Sequence, residues 1–323
     1  MSIDLAPTEE HAQAMIWTSD TDLWLVAARL DGELTLYHFD VEGNELRGWS
    51  SPVAASLTVH TYIAQDSAGL LWVGAGYALV AFDPAKEVFV FGERLPLDDE
   101  DAIPNALSKD IPVPGTWITG LAPSGRGGIS LIRHNVLAEF SAGVNGVRRG
   151  PRLTHAPEML MTLPDGAPVA LAREKDFAIL SASGGTPVAT AERYSVVAPA
   201  TCRPALAFVA GTLVTTAEGN SQAVRSRLHT SPLDLGVASP DGGRAAFALR
   251  DAGQILTLDC ERQQVAELKL PTTSNEGFFG GINVDGTPAA TPGDSAPQIL
   301  SVAINNAGAV AIGDDRMHVW IWK

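Results

Sequence analysis

Cysteine is nearly absent: Cys202 and Cys260 are the only two in 323 residues. No disulfide framework and no Cys-x-x-C zinc site is therefore expected, and both read as core thiols. Basic side chains are scarce as well, with 22 Lys and Arg against 37 Asp and Glu for a formal net charge of −15. That balance works against binding a phosphate backbone over a broad surface, so nucleic acid is not an expected partner. Long apolar runs are missing too. The most apolar stretch, Ala68 to Phe82, holds three glycines in 15 residues, short of the roughly 20 apolar residues of a spanning helix. The first ten residues carry acid where a secretory leader carries base, and they lack an apolar segment. No membrane association is expected, and the expected location is cytoplasmic.

Helical periodicity is also hard to find. In its place, short runs rich in Val, Ile, Leu, Phe and Trp recur between Gly, Asp, Asn and Pro clusters, the punctuation of an all-β chain. With 46% apolar residues the chain has ample material for a core. Leu23-Trp-Leu-Val-Ala27 followed by Tyr37-His-Phe-Asp40 is restated as Leu71-Trp-Val-Gly-Ala75 followed by Val80-Ala-Phe-Asp83. Each is a buried-type strand, a turn, and a second strand ending in Asp. Arg244-Ala-Ala-Phe-Ala248 with Thr257-Leu-Asp259 continues the phrase, and weaker copies start near residues 128, 168, 205 and 309. The seven starts, at 23, 71, 128, 168, 205, 244 and 309, cluster around the roughly 40 to 45 residues of a four-stranded propeller blade, with insertions between some of them. The expected fold is one all-β, seven-bladed propeller over residues 1–323.

The ends of the chain fit that expectation. The last unit has sequence for only three strands, Gln298 to Ile304, Ala309 to Ile312 and His318 to Lys323. Met1 to Leu5 are expected to supply the fourth and close the ring.

At the level of single blades there are resemblances. Ile63-Ala-Gln-Asp-Ser-Ala-Gly-Leu-Leu-Trp-Val-Gly74 resembles the repeat of propeller sensors attached to two-component regulators. Ala238-Ser-Pro-Asp-Gly242 and Val302-Ala-Ile-Asn-Asn-Ala-Gly308 resemble the turn after the first strand of WD-repeat blades. Virginiamycin B lyase-like propellers share the Asp-x-x-Gly-x-Leu-Trp phrase, although their His and Glu catalytic set finds no match in this chain. These resemblances imply architecture; propellers of this kind serve as signalling scaffolds, lyases and hydrolases alike.

Two connections, residues 92–115 and 271–297, are too long for routine turns. Each follows the outer strand of one unit and precedes the inner strand of the next, so both are expected over the same mouth of the propeller. The first carries Asp98, Asp99, Glu100 and Asp101, readable as a cation site or as a solvated acidic loop; the second carries Phe278 and Phe279 between glycines, readable as a partner anchor or as a satellite core. No metal or other cofactor is assigned. Charge is uneven: residues 1 to 101 hold 18 acidic and 4 basic side chains, whereas five arginines (Arg126, Arg133, Arg148, Arg149 and Arg152) crowd a short later stretch. An acidic sector beside a basic one is a docking surface for a protein or ordinary solubilising charge.

The common catalytic signatures are missing: no Gly-x-Ser-x-Gly elbow, His-Glu-x-x-His helix or Walker loop occurs. The seven histidines are scattered, with His60, before an inner strand, and His134, in the arginine sector, nearest to candidates. Two function classes follow. The first is a non-catalytic interaction or scaffold propeller that presents the loop-bearing face, with Asp98 to Asp101, Phe278 and Phe279, to a protein partner, as a subunit of a larger assembly. Its 17 arginines against 5 lysines suit a GC-rich bacterial genome. The second is a small-molecule-binding protein or an enzyme of lyase or hydrolase type that uses the channel mouth.

Overall fold

The computed structural model describes residues 2–29, 31–55, 61–95, 118–124, 128–133, 136–140, 148–152, 157–162, 168–173, 177–181, 187–191, 196–199, 206–209, 212–217, 220–227, 235–249, 253–262, 264–271 and 297–323. Among the described residues, 28 strands group into seven four-stranded antiparallel sheets. No helix among them is long and apolar enough to cross a membrane.

The chain opens with a short strand, β1 (Ser2–Asp4), and then runs through the sheets in order. The first sheet is β2 (His11–Trp17), β3 (Asp22–Ala28), β4 (Leu34–Asp40) and β5 (Glu45–Ser50). The second is β6 (Thr61–Gln65), β7 (Leu71–Ala75), β8 (Ala78–Asp83) and β9 (Val88–Arg94). The third is β10 (Ile118–Pro123), β11 (Ile129–Arg133), β12 (Val136–Phe140) and β13 (Arg148–Arg152). The fourth is β14 (Pro157–Thr162), β15 (Pro168–Arg173), β16 (Phe177–Ser181) and β17 (Pro187–Ala191). The fifth is β18 (Val196–Pro199), β19 (Leu206–Val209), β20 (Thr212–Ala217) and β21 (Asn220–Arg227). The sixth is β22 (Leu235–Ala238), β23 (Arg244–Leu249), β24 (Gln254–Asp259) and β25 (Gln264–Lys269). The seventh is β26 (Ile299–Ile304), β27 (Val310–Asp314) and β28 (His318–Trp322), and its fourth member is β1, with Ser2 opposite Trp320 and Asp4 opposite His318. The first strands of successive sheets lie side by side from β2 through β6, β10, β14, β18 and β22 to β26, and β26 lies beside β2.

Burial explains the repeated phrase. Every residue of β7 and β8 is buried, because both faces of a middle strand are covered by neighbouring sheets, and a strand covered on both faces reads as a continuous apolar run. Trp24, Leu71, Val73 and Phe82 share one cluster between the first and second sheets. Trp72, Leu79, Ile118 and Leu131 share another between the second and third. Trp72 and Phe82 are wholly inaccessible to solvent; truncating such a ring costs about 3–5 kcal/mol.

Three of the third strands, β4, β8 and β24, end in an aspartate that caps the turn that follows it. Asp40 accepts the Asn44 N–H at 2.8 Å, Asp83 accepts the Ala85 N–H at 3.0 Å and the Lys86 ammonium at 2.6 Å, and Asp259 accepts the Arg262 N–H at 2.9 Å. A second device occurs twice with the same spacing. Asp66 accepts from Ala68 N, Leu70 N and Trp72 Nε1 (2.9, 3.0 and 2.8 Å); Asp314 accepts from Arg316 N, His318 N and Trp320 Nε1 (2.9, 2.9 and 2.8 Å). Each carboxylate closes a turn and anchors the indole six residues on.

The seventh and first sheets meet closely. Ser301 Oγ donates to the Ala12 carbonyl at 2.8 Å, where the β2–β3 register shifts. Asn305 Nδ2 donates to the Asp20 carbonyl at 2.9 Å, and the Ala307 N–H donates to the Asp20 carboxylate at 3.1 Å. The Leu5 N–H donates to the Met317 carbonyl at 2.7 Å. At Gly313 a Cβ would fall 2.5 Å from that of Ala12 and 2.6 Å from Ser301 Oγ, so only glycine allows this approach.

One expectation is corrected. Cys260 is not a core thiol: it is half-buried and disulfide-bonded. It sits one residue past β24 in a turn, outside the packed sheet faces, and its Sγ lies 3.8 Å from the Gly242 carbonyl. Cys202, the other cysteine of the chain, lies outside the described residues.

The Asp–Trp turns yield a paired expectation. Asp314→Ala orphans three donors, at about 1–3 kcal/mol for each that water cannot reach. It should lower Tm by several degrees in differential scanning calorimetry, and Asp66→Ala, which removes the same set, should lower it by a similar amount. A loss confined to one of them would show that the two turns are not equivalent.

Candidate functional site

The two long connections are anchored where they leave and rejoin the sheets. β9 continues to Arg94, so the first connection begins later than residue 92. Leu95 is buried, its N–H donates to the Tyr77 carbonyl at 2.8 Å, and on the return the Ile118 N–H donates to the Gly76 carbonyl at 2.7 Å. Both stems therefore grip the β7–β8 turn. The second connection leaves at Leu270, whose N–H donates to the Gly253 carbonyl at 2.8 Å beside the β23–β24 turn. It returns at Gln298, which exchanges hydrogen bonds of 2.9 Å with Asp315 in the β27–β28 turn. In all cases the stem is held by the turn between the second and third strands of a sheet. The expected partner-binding residues Asp98, Asp99, Glu100, Asp101, Phe278 and Phe279 lie outside the described residues, as do His60 and His134.

A polar cluster that the sequence pattern did not signal occupies the seam between the first and second sheets. Trp24 on β3 and His38 on β4 are direct cross-strand partners, and their rings stack at 4.2 Å with 1° between planes. His38 Nε2 donates to Asp22 Oδ1 at 2.9 Å; the Ser19 and Thr21 hydroxyls donate to the other oxygen of the same carboxylate. Burial pushes the Asp22 pKa up, but the bonds from Ser19, His38 and Thr21 outweigh it and hold the carboxyl below its ordinary value. Next along the sheet, the Arg47 guanidinium lies 5.4 Å from the ring of Trp49 and pairs with Glu87 of the second sheet. Both partners of that pair are half-exposed, so it contributes under about 1 kcal/mol.

A His–Asp pair is half of a general-base arrangement, which needs a nucleophile or a substrate proton within reach of the imidazole. Here the nearby hydroxyl, Ser19 Oγ, is spent on the carboxylate. The cluster works as a clamp joining the β2–β3 turn to β4. Glu10 is a buried carboxylate, 3% exposed, which accepts from Thr35 Oγ1 and the Tyr37 hydroxyl, both at 2.6 Å. Burial first, then that bond, pushes the Tyr37 pKa far up, so the phenol stays protonated as a donor. On β6 the half-buried Tyr62 is pushed up to about 12 by burial. Among the described residues no three of His, Cys, Asp and Glu gather where they would hold a metal ion.

No family model matches the chain, and no curated protein matches it in sequence. Solved structures do match. A streptogramin B lyase structure aligns with a TM-score of 0.65 at 11% identity, covering 99% of this chain and 95% of that one. A catalytically inactive variant of virginiamycin B lyase from Staphylococcus aureus, solved with quinupristin, aligns with a TM-score of 0.64 at 10% identity, covering 99% and 97%. A chain of the mitotic checkpoint complex aligns with a TM-score of 0.62 at 12% identity, covering 100% and 93%. The likeness is one of fold: four-stranded antiparallel sheets arranged as a β-propeller.

The Asp22 cluster sets a pH dependence. A carboxyl whose folded pKa is depressed stabilises the fold fully above its ordinary pKa of about 3.9, and that stability is lost as pH falls through the lower folded value. Asp22→Asn should therefore flatten the acid limb of a Tm–pH curve below about pH 4. A variant that loses stability with acid as steeply as the parent would remove Asp22 from that limb.

Proposed function

We propose that the chain forms one closed seven-bladed propeller and acts as a non-catalytic interaction or scaffold module, a subunit of a larger assembly. The ring reading is supported by the β1–β28 pairing and by the hydrogen bonds from Ser301, Asn305 and Ala307 to the first sheet. The observation that carries the functional reading is electrostatic. All four basic side chains within residues 1 to 101 are already engaged: Arg29 with Glu33, Arg47 with Glu87, Lys86 with Asp83, and Arg94 over the ring of Tyr77. Asp4, Glu9, Asp31, Glu45 and Glu93 are exposed there with no base of the sector paired to them, a field suited to steering a basic protein.

On this reading the working face is the one that carries the long connections, with Asp98, Asp99, Glu100 and Asp101 as steering charge and Phe278 and Phe279 as apolar anchor. The checkpoint-complex chain of similar fold belongs to a protein assembly. The similar lyases define the alternative, a small-molecule site at the channel mouth.

Affinity capture from the native host, with the recovered partner then purified, tests the reading. Phe278→Ala with Phe279→Ala should weaken binding about tenfold or more, mostly through a faster off-rate. Neutralising the four acids should mainly lower the on-rate and its salt dependence. Normal binding by both variants would refute the assigned face, and turnover of a small molecule in a metabolite screen would favour the alternative. Deleting residues 2 to 6 should lower Tm by several degrees if β1 closes the ring; an unchanged melt would count against closure.

A further inference from the structure

The fourth strand of each sheet has a neighbouring strand on one side only among the described residues, and proteins normally blunt such edges with charge. The sixth sheet does so: among the described side chains of β25 the exposed ones are Gln264, Ala266, Glu267 and Lys269. On the second sheet the charge of β9 is confined to its end, in Glu93 and Arg94, and the exposed residues of its first half are apolar. Val88 and Val90 on β9 are 47% and 44% exposed, and with Leu46 on β5 they are the exposed large apolar side chains among the described residues. β9 is seven residues long and last in its sheet, so its far edge pairs with no strand among the described residues.

Two features decide what the edge is fitted to take. The β8–β9 register shifts at Ala81 and Phe82, leaving Val90 as an extra residue; a bulge of this kind twists the edge, so two fixed, identically bulged edges match each other less well than the edge matches a free extended segment that can follow the twist. Residues 1 to 101, which include the first and second sheets, hold 18 acids against four bases, each base already engaged. A second copy would bring an equal excess of negative charge to the contact. A segment carrying Lys or Arg meets the opposite case, with exposed Glu87 and Glu93 flanking the valines.

We propose that the outer edge of β9 takes an extended segment of a partner protein in which Lys or Arg alternates with apolar residues, adding a fifth strand to the second sheet. This deepens the interaction reading above and rests on it. Main-chain hydrogen bonds supply the affinity, Val88 and Val90 the apolar contact, and the acidic sector the steering.

The probe is a fluorescein-labelled heptapeptide of alternating valine and lysine, with fluorescence anisotropy measured on the full chain at about 50 and about 300 mM salt. Saturable binding that weakens with salt is expected. The same peptide N-methylated at alternate residues should not bind, nor should its glutamate-for-lysine counterpart. V88K/V90K, changed only at exposed positions, should keep the parent Tm and lose about tenfold or more in affinity. No binding of the lysine peptide, equal binding of the N-methylated peptide, or an unaffected double variant would overturn the proposal. So would a dimer of the parent chain in light scattering that V88K/V90K dissociates, since the occupant would then be a second copy. If V88K/V90K keeps the captured partner while the Phe278/Phe279 variant loses it, the edge proposal falls and the loop-face reading stands.

Discussion

The contact between the seventh and first sheets is the constraint on which the remaining packing rests. Each sheet buries both faces only if it has a neighbour on each side, and the sheet formed last along the chain must find the one formed first. Gly313 removes the side chain that would hold the two apart, and Ser301 then reaches the Ala12 carbonyl. Behind that contact Trp17, Leu23, Leu25, Phe39, Val319 and Ile321 pack into one cluster. Substituting Gly313 would therefore be felt far from residue 313, because Ala12 and Ser301 could no longer meet at this spacing.

Turns supply the second level of order. Aspartates at the ends of third strands, and the two that also bond an indole, turn each reversal into a point fixed by backbone donors. The same economy extends between sheets. The Asp241 N–H donates to Asn306 at 3.1 Å, and the turn around Asn305 is in turn tied to Asp20. The turns after the first strands of the sixth, seventh and first sheets are thus linked in series along one face.

Much of this was legible in the sequence because the most buried strands are also the most regular. Second strands begin at 22, 71, 129, 168, 206, 244 and 310, each within one residue of the recurring phrase, since a strand covered on both faces tolerates little but apolar side chains. The phrase-ending aspartates were visible as a pattern before their turn-capping bonds gave it a cause. The Asp22–His38–Trp24 clamp was not legible: its members are brought together by cross-strand register, and nothing in the spacing of 22, 24 and 38 announces a stack. Cys260 was misread because composition argued against a covalent framework, while its place in a turn depended on where β24 stops. The residues expected to meet a partner sit in the two long connections, of which only the anchoring stems belong to the described residues.

The pairing of Ser2 with Trp320 also bears on how the molecule is made. Of the described strands, β1 leaves the ribosome first and its partner β28 last. Until then β2 lacks its neighbour β26, and the apolar face of the first sheet has nothing to cover it. Contacts of such sequence separation form slowly because the loop that joins them is long. The first and second sheets, already packed on each other, would wait as a partly wet intermediate, and their heavy acidic charge, the same charge read above as a docking field, would keep that intermediate from associating with its own kind during the wait.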